Sequence, residues 1–260
     1  RQELDLYLNV RPALCLSDRL CPLRGRSASD IDFVILRENT EGGYGGSTRW
    51  RSPGESDEVA VHEATHSRPR IERTLRAAFE LASNRRCPRL TLADKSNAID
   101  AHRLWRDVFE ELSEHWPDVD ADAMYADTVA HELIRDPAGF EVIVPPNMLG
   151  DILSDIGAAL QGGLGVAPSA NLHPGRVSLF EPVHGSAPRL AGKGLGNPVA
   201  SLLSTAMMLE QLGCSEPGSA LRTAVQDTIA SGVATPDLGG EANTDQVGTA
   251  VIERLLAAKE

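Results

Sequence analysis

The chain has 260 residues, long enough for one large domain or two modest ones with hydrophobic cores of their own. Its formal charge of −12, from 37 acidic against 25 basic residues, argues against a nucleic-acid partner, which needs clustered lysine and arginine. No apolar run reaches the roughly 18 residues that span a bilayer, and no basic-then-apolar leader opens the chain, so it reads as a cytoplasmic protein with no membrane partner.

In chain order, the first core strand is expected at residues 31–36 (IDFVIL), a short apolar run of the kind buried on both faces. Residues 39–56 are rich in Gly, Ser, Thr and Arg, and residues 58–64 (EVAVHEA) alternate as an exposed hairpin strand does. Together they predict a protruding arm over about 38–65. An amphipathic helix is predicted over 70–83, with Ile71, Leu75, Ala78, Phe79 and Ala82 on one face. Buried strands are predicted at 90–93 and 141–144 (EVIV), with a second amphipathic helix at 102–115 between them. Residues 161–198 hold many Gly and Pro and read as a large ordered loop region, followed by helical stretches at 198–212, 218–229 and 247–258. Strands alternating with helices predict an α/β protein with a mainly parallel sheet. The four cysteines (Cys15, Cys21, Cys87 and Cys214) form no CxxC pair and read as buried free thiols.

Several residues are candidates for chemistry. Asp151 and Asp155 stand at i and i+4 of a helical stretch, where two carboxylates lie one above the other and can offer hard oxygen ligands to Mg²⁺ or Mn²⁺. In this reading Ile152, Leu153 and Ile156 point into the core. An isolated pair of this spacing is more often a solvated acidic face or a helix's first turn. Arg37 follows the strand at 31–36, at the sheet edge where α/β proteins bind ligands. With Arg11 and Arg1 it makes a set of guanidinium groups suited to a dicarboxylate, although each taken singly is commonly a surface ion-pairing residue. Lys95, just past the strand at 90–93, is placed to act as a base, and Tyr44, within the Gly-rich segment, as a proton donor. No G-x-G-x-x-G follows a strand, so an ordinary Rossmann cofactor site is not supported.

Three longer motifs occur in order: Arg37-Glu38-Asn39-Thr40-Glu41-Gly42, then Asn147-Met148-Leu149-Gly150-Asp151-Ile152-Leu153-Ser154-Asp155, then Glu181-Pro182-Val183-His184-Gly185-Ser186-Ala187-Pro188. The set resembles the β-decarboxylating dehydrogenases, the isocitrate/isopropylmalate dehydrogenase family. Cys21-Pro22-Leu23-Arg24-Gly25-Arg26 and Ala167-Pro168-Ser169-Ala170-Asn171 look most like its tartrate/D-malate branch. The resemblance implies a two-domain α/β fold with an open, mainly parallel sheet, divided into 10–161 and the remainder, 1–9 with 162–260. It implies NAD(P)- and Mg²⁺- or Mn²⁺-dependent oxidative decarboxylation of a malate-type (2R)-2-hydroxy acid. Arg1, Arg11 and Arg37 resemble the family's substrate-carboxylate arginines, and Asp127, Asp151 and Asp155 its metal ligands. Lys95 resembles its base and Tyr44 its acid. Asn97 looks like a nicotinamide-ribose contact, and His184 and Asn197, with Glu181, Gly185, Ser186, Ala187 and Arg189 around them, match the segment that holds the dinucleotide. A homodimer follows, since the family takes its lysine and one metal-ligand aspartate from the neighbouring subunit, with the arm as clasp.

Two departures bear on function. Arg189 stands where NAD-using members carry Asp, so a cation faces the adenosine ribose and favours a 2′-phosphate. Family members also carry residues ahead of Arg1, including the first strands of the sheet and the helix that reads the substrate's variable group. A chain without them is expected to be N-terminally truncated and itself inactive. The alternative function is that of a non-catalytic regulatory subunit of a heteromeric isocitrate dehydrogenase, although such subunits usually lose some of the catalytic groups that this chain retains.

Overall fold

The structure, a computed structural model, describes residues 2–258. Strand β1 (Leu8–Leu14) opens it and pairs antiparallel with β2 (Asp32–Glu38). The chain then leaves the sheet for the arm, β3 (Gly42–Arg51) and β4 (Val59–Thr65), which pair only with each other. Helix α1 (Arg68–Ser83), β5 (Arg89–Asp94), α2 (Arg103–Ser113), β6 (Asp120–Tyr125), α3 (Ala126–Arg135) and β7 (Val142–Val144) follow. Helix α4 (Asn147–Leu160), β8 (Pro168–Leu172), β9 (Leu179–Pro182) and helices α5 (Val199–Gln211), α6 (Ser215–Ala230) and α7 (Thr244–Ala257) complete the chain.

The seven-stranded sheet runs β6-β5-β7-β2-β1-β8-β9. Strands β6, β5, β7 and β2 pair in parallel, β1 and β9 run against their neighbours, and β8 therefore points with the parallel set. The sheet is open and mainly parallel, as expected. Period-two alternation divides its central strands between two cores. Leu36, Leu90, Leu92, Val142 and Val144 pack under α1 and α2, whereas Phe33, Ile35, Ala93 and Ile143 pack against α3 and α4. Helices α5, α6 and α7 gather around Leu16 and Val166 in a third cluster.

Several expectations need correction. Residues 161–198 are not only loop, because Pro168–Leu172 and Leu179–Pro182 form strands β8 and β9 at the sheet edge. Ile152 does not face the core; it is exposed, and only Leu153 and the half-buried Ile156 reach the α3–α4 core. Four residues past Met148 on one helix, Ile152 shares the outer face with that exposed side chain. Among the cysteines Cys15 is buried and Cys21 half-buried, but Cys87 and Cys214 are exposed, at loop and helix-cap positions that no strand or helix face covers. The protruding arm spans Gly42–Thr65, and residues 38–41 form its locked root. The Glu38 carboxylate accepts the Thr40 amide and hydroxyl and the Glu41 amide, and Glu41 in turn accepts the Ser67 amide and hydroxyl. Among the described residues no helix is long and apolar enough to cross a membrane.

Candidate active site

Beside the C-terminal edge of β2, an open pocket of about 640 Å³ is lined by Arg11, Arg37, Asn39, Tyr44, Asn147 and Asp151, with Gln2 and Glu3 at its mouth. Arg11 comes from β1, Arg37 from the end of β2, Tyr44 from the base of the arm and Asp151 from the second turn of α4. The Asp151 carboxylate is the hub. Arg37 Nη1 donates to its Oδ1, Arg11 Nη2 lies 3.5 Å from the same oxygen, and Tyr44 Oη donates to Oδ2 at 2.8 Å. Burial works to raise the Asp151 pKa, but the Tyr44 hydroxyl and the Arg37 and Arg11 guanidinium groups outweigh it and hold the acid below its usual range. The same hydrogen bond, with Asp151 as charged acceptor, pushes the Tyr44 phenol up, so it keeps its proton at neutral pH.

The arginines are themselves fixed. Arg37 Nε donates to Asn147 Oδ1 at 2.9 Å, and Asn147 Nδ2 donates to the Glu41 carbonyl at 2.8 Å. Arg11 Nη1 donates to Ser154 Oγ and lies 3.8 Å from Asp155 Oδ1. Gly150 permits this approach, since a Cβ there would stand 2.7 Å from Arg37 Cγ and 2.9 Å from Pro145 Cγ. Asp155, one turn beyond Asp151, has an exposed carboxylate. These two acids give an all-oxygen donor set that fits a hard divalent cation in chemistry but supplies only part of a coordination shell. Among the described residues no group of three His, Cys, Asp or Glu gathers in one place. Arg1 lies outside the described residues.

The expected base sits elsewhere in the chain. Lys95, on the turn after β5, places Nζ 2.5 Å from Oδ1 of Asp127, in the first turn of α3, and 5.7 Å from the Tyr125 ring centre. The Lys95 hydrogen bond is the main reason that the Asp127 acid is held below its ordinary range. Asn97 is exposed on the same turn. None of these residues lines the Asp151 pocket.

A third constellation surrounds the loop after β9. His184, Gly185, Ser186, Ala187 and Asn197 line a cleft of about 420 Å³ together with Asp237. Asn197 is locked from both ends, its Nδ2 donating to Asp237 Oδ2 at 3.0 Å and its Oδ1 accepting the Val199 amide at 3.0 Å. Glu181 and Arg189 do not line this cleft: Glu181 accepts from Asn171 Nδ2 at 3.0 Å, and Arg189 is exposed on the turn Pro188–Leu190. Asn39, Asn147, Ser154 and Asp237 were not singled out from sequence. Asn147 could have been, since it stands four residues before Asp151 on the same helix.

A profile of the isocitrate/isopropylmalate dehydrogenase family matches residues 1–251. The chain is 40% identical to the D-malate dehydrogenase [decarboxylating] of Escherichia coli (strain K12), an alignment covering 98% of this chain and 73% of that protein. It is 42% identical to a probable tartrate dehydrogenase/decarboxylase of Agrobacterium vitis (98% and 72% covered) and 41% identical to a 3-isopropylmalate dehydrogenase of Shouchella clausii (97% and 70%). Its fold matches the crystal structure of isocitrate dehydrogenase from Methylococcus capsulatus with a TM-score of 0.90 at 36% identity, over 98% of this chain and 74% of that one.

Proposed function

The chain belongs to the isocitrate/isopropylmalate dehydrogenase family, and we propose that it carries the substrate- and metal-binding groups of an NAD(P)-linked oxidative decarboxylation of a malate-type 2-hydroxy acid, with D-malate or tartrate the first substrates and 3-isopropylmalate the next. The observation that carries this reading is Asp151, kept ionised at the floor of a pocket whose other walls are two arginines and a protonated tyrosine. Two fixed guanidinium groups suit a dicarboxylate: Arg37's hydrogen bonds to Asp151 and Asn147, and Arg11's to Ser154 with its ion pair to Asp151, place them before substrate arrives.

Asp151 and Asp155 would hold the divalent cation together with Asp127 of the partner subunit. When bound, that cation would supply Lewis acidity and a nicotinamide dinucleotide would supply the hydride acceptor. Lys95 of the partner subunit takes the hydroxyl proton as the alcohol becomes a ketone. Arg11 and Arg37 hold the carboxylates so that the departing one is aligned for loss as CO₂. Tyr44 then protonates the resulting carbanionic carbon, a role for which its raised pKa and its place in the pocket prepare it. The separation of Lys95 and Asp127 from the Asp151 pocket supports a homodimer with shared sites. The exposed Tyr125, Ile134, Met148 and Ile152 on or beside α3 and α4, with Trp50 and Val59 on the arm, support those elements as its interface. Arg189 supports use of NADP, whose 2′-phosphate a guanidinium would attract.

The test is dinucleotide reduction at 340 nm by the full-length protein with Mn²⁺, NAD⁺ or NADP⁺, and D-malate, tartrate, 3-isopropylmalate or isocitrate supplied separately. Metal-dependent turnover of one of these acids is expected. No turnover of any of them, with metal binding intact, would overturn the enzyme reading in favour of a regulatory subunit.

A further inference from the structure

Two histidines outside the pocket form an edge-to-face ring pair that the chemistry above does not use. His102, 4% exposed, ends the 3-10 turn between β5 and α2, and His66 lies between the arm's last strand and α1. Their rings meet edge to face with centres 4.9 Å apart. His102 Nδ1 accepts the main-chain amide of Lys95 at 3.1 Å, and His66 Nδ1 accepts the indole N–H of Trp105 at 3.2 Å. Each contact requires a bare Nδ1, hence the neutral Nε2–H tautomer. Burial, with His66 beside it, holds His102 at about 4 against the opposing pull of Asp94, and burial lowers His66 as well.

The other restraints on the Lys95 turn run through Asp94. Asp94 Oδ1 accepts the Ser96 amide at 2.8 Å, Asp94 Oδ2 accepts Arg106 Nε at 2.5 Å, and the Arg106 guanidinium lies 4.9 Å from the centre of the Tyr125 ring, the same ring that Lys95 approaches. The Lys95 amide is the first N–H past the strand. It has no ladder partner, so its satisfaction falls to a side chain that reaches back from the start of α2.

We propose that His102 is a positioning residue for Lys95: its Nδ1, by accepting the Lys95 amide, fixes the turn that aims the ammonium, and His66 ties this support to the end of the arm's second strand. The proposal rests on the reading of Lys95 as the base. The ring pair joins the arm's base to the lysine turn, so the element that would clasp a second subunit and the group that would work in that subunit's site share one support.

Competitive acetylation read site by site in the mass spectrometer follows Lys95 directly, with the exposed Lys193 as internal reference. His102→Asn keeps an acceptor at the Nδ1 position, His102→Gln moves it to the Nε2 position, and His102→Phe keeps the ring without an acceptor. In the full-length enzyme, with folding checked by circular dichroism, H102F and H102Q are expected to change the pH profile of Lys95 acetylation and to lower kcat at least about tenfold, with KM nearly unchanged. H102N should stay within about threefold of the parent in both readouts. Equal behaviour of H102N and H102Q would overturn the proposal, and that comparison stands even if H102F does not fold. A wild-type protein with no turnover would sink the enzyme reading, while the acetylation profiles would still decide whether His102 orients Lys95.

Discussion

At Asp151 one carboxylate answers three neighbours at once. Desolvation penalises its charge, yet two guanidinium groups and a phenol hydroxyl return more than that penalty, so the carboxylate stays ionised. His102 and His66 strike the opposite balance. His102 has little to stabilise an imidazolium, and it remains neutral down to about pH 4, where a free histidine protonates at 6.5. The depressed value sets a pH window for stability. Above 6.5 both folded and unfolded chains carry the neutral ring and its contribution is complete. As the pH falls from 6.5 toward 4 the unfolded chain takes up a proton that the native one refuses, and as much as roughly 3 kcal/mol is lost. Asp5, bidentate with Arg73, and Asp151 have acids lowered from 3.8, so their contributions fail only at lower pH. Urea unfolding at pH 7.5 and pH 5 should therefore reveal a loss in the parent that H102N largely abolishes. An equal loss in both would assign the window to other groups.

Among the elements, the arm is the one that buries least and is held mainly by its own two-stranded ladder and a few cross-strand side-chain contacts. Strands β3 and β4 leave nearly every side chain in solvent, and a register shift between Gly42 and Ser47 lets His62 reach the Gly43 carbonyl at 2.7 Å. At Gly46 any Cβ would come within 2.0 Å of the Glu63 carbonyl oxygen, so the bend tolerates no side chain. Gly46→Ala should open the hairpin while sparing the sheet, whose cores it does not touch. Limited proteolysis within residues 47–62 should quicken markedly, with the melting temperature of the body moved by only a few degrees. Unchanged cleavage would mean that the hairpin can shift its register to absorb the methyl group. Strands β2, β5 and β7, and helices α1 and α2, were readable because each carries a nearly continuous apolar run or a full amphipathic face. Strand β1 hid behind Pro12 and the buried polar pair Asn9 and Arg11, β6 behind its alternating aspartates at the sheet edge, and β8 behind a five-residue PSANL. Helix α3 has only Ala126, Val129 and Leu133 to bury, too few to announce ten residues. In the site, the i, i+4 aspartates and the arginine after β2 were legible from spacing. The acceptor role of His102 was not, because it depends on the chain folding back seven residues onto Lys95.

Across the whole molecule the groups that the proposed reaction would use are split. Arg11, Arg37, Tyr44, Asp151 and Asp155 stand around one end of α4, whereas Lys95 and Asp127 pair with each other outside that pocket. A two-fold dimer makes each interface contact twice, so two such half-sets would complete two equivalent sites. This arrangement has an arithmetic consequence. A Lys95→Ala chain spoils the site to which it lends its lysine, and an Asp151→Asn chain spoils the site that it floors. In a mixed dimer both defects fall in the same site, and the other site is built wholly from intact groups. If the two inactive variants are denatured and refolded together in equal amounts, half of the dimers are mixed and each has one working site, so roughly a quarter of the parental activity should return. Were every site built within a single chain, each site in the mixture would carry one defect and no activity would reappear. Recovery near a quarter, absent when either variant is refolded alone, would place Lys95 and Asp151 of each working site on different chains.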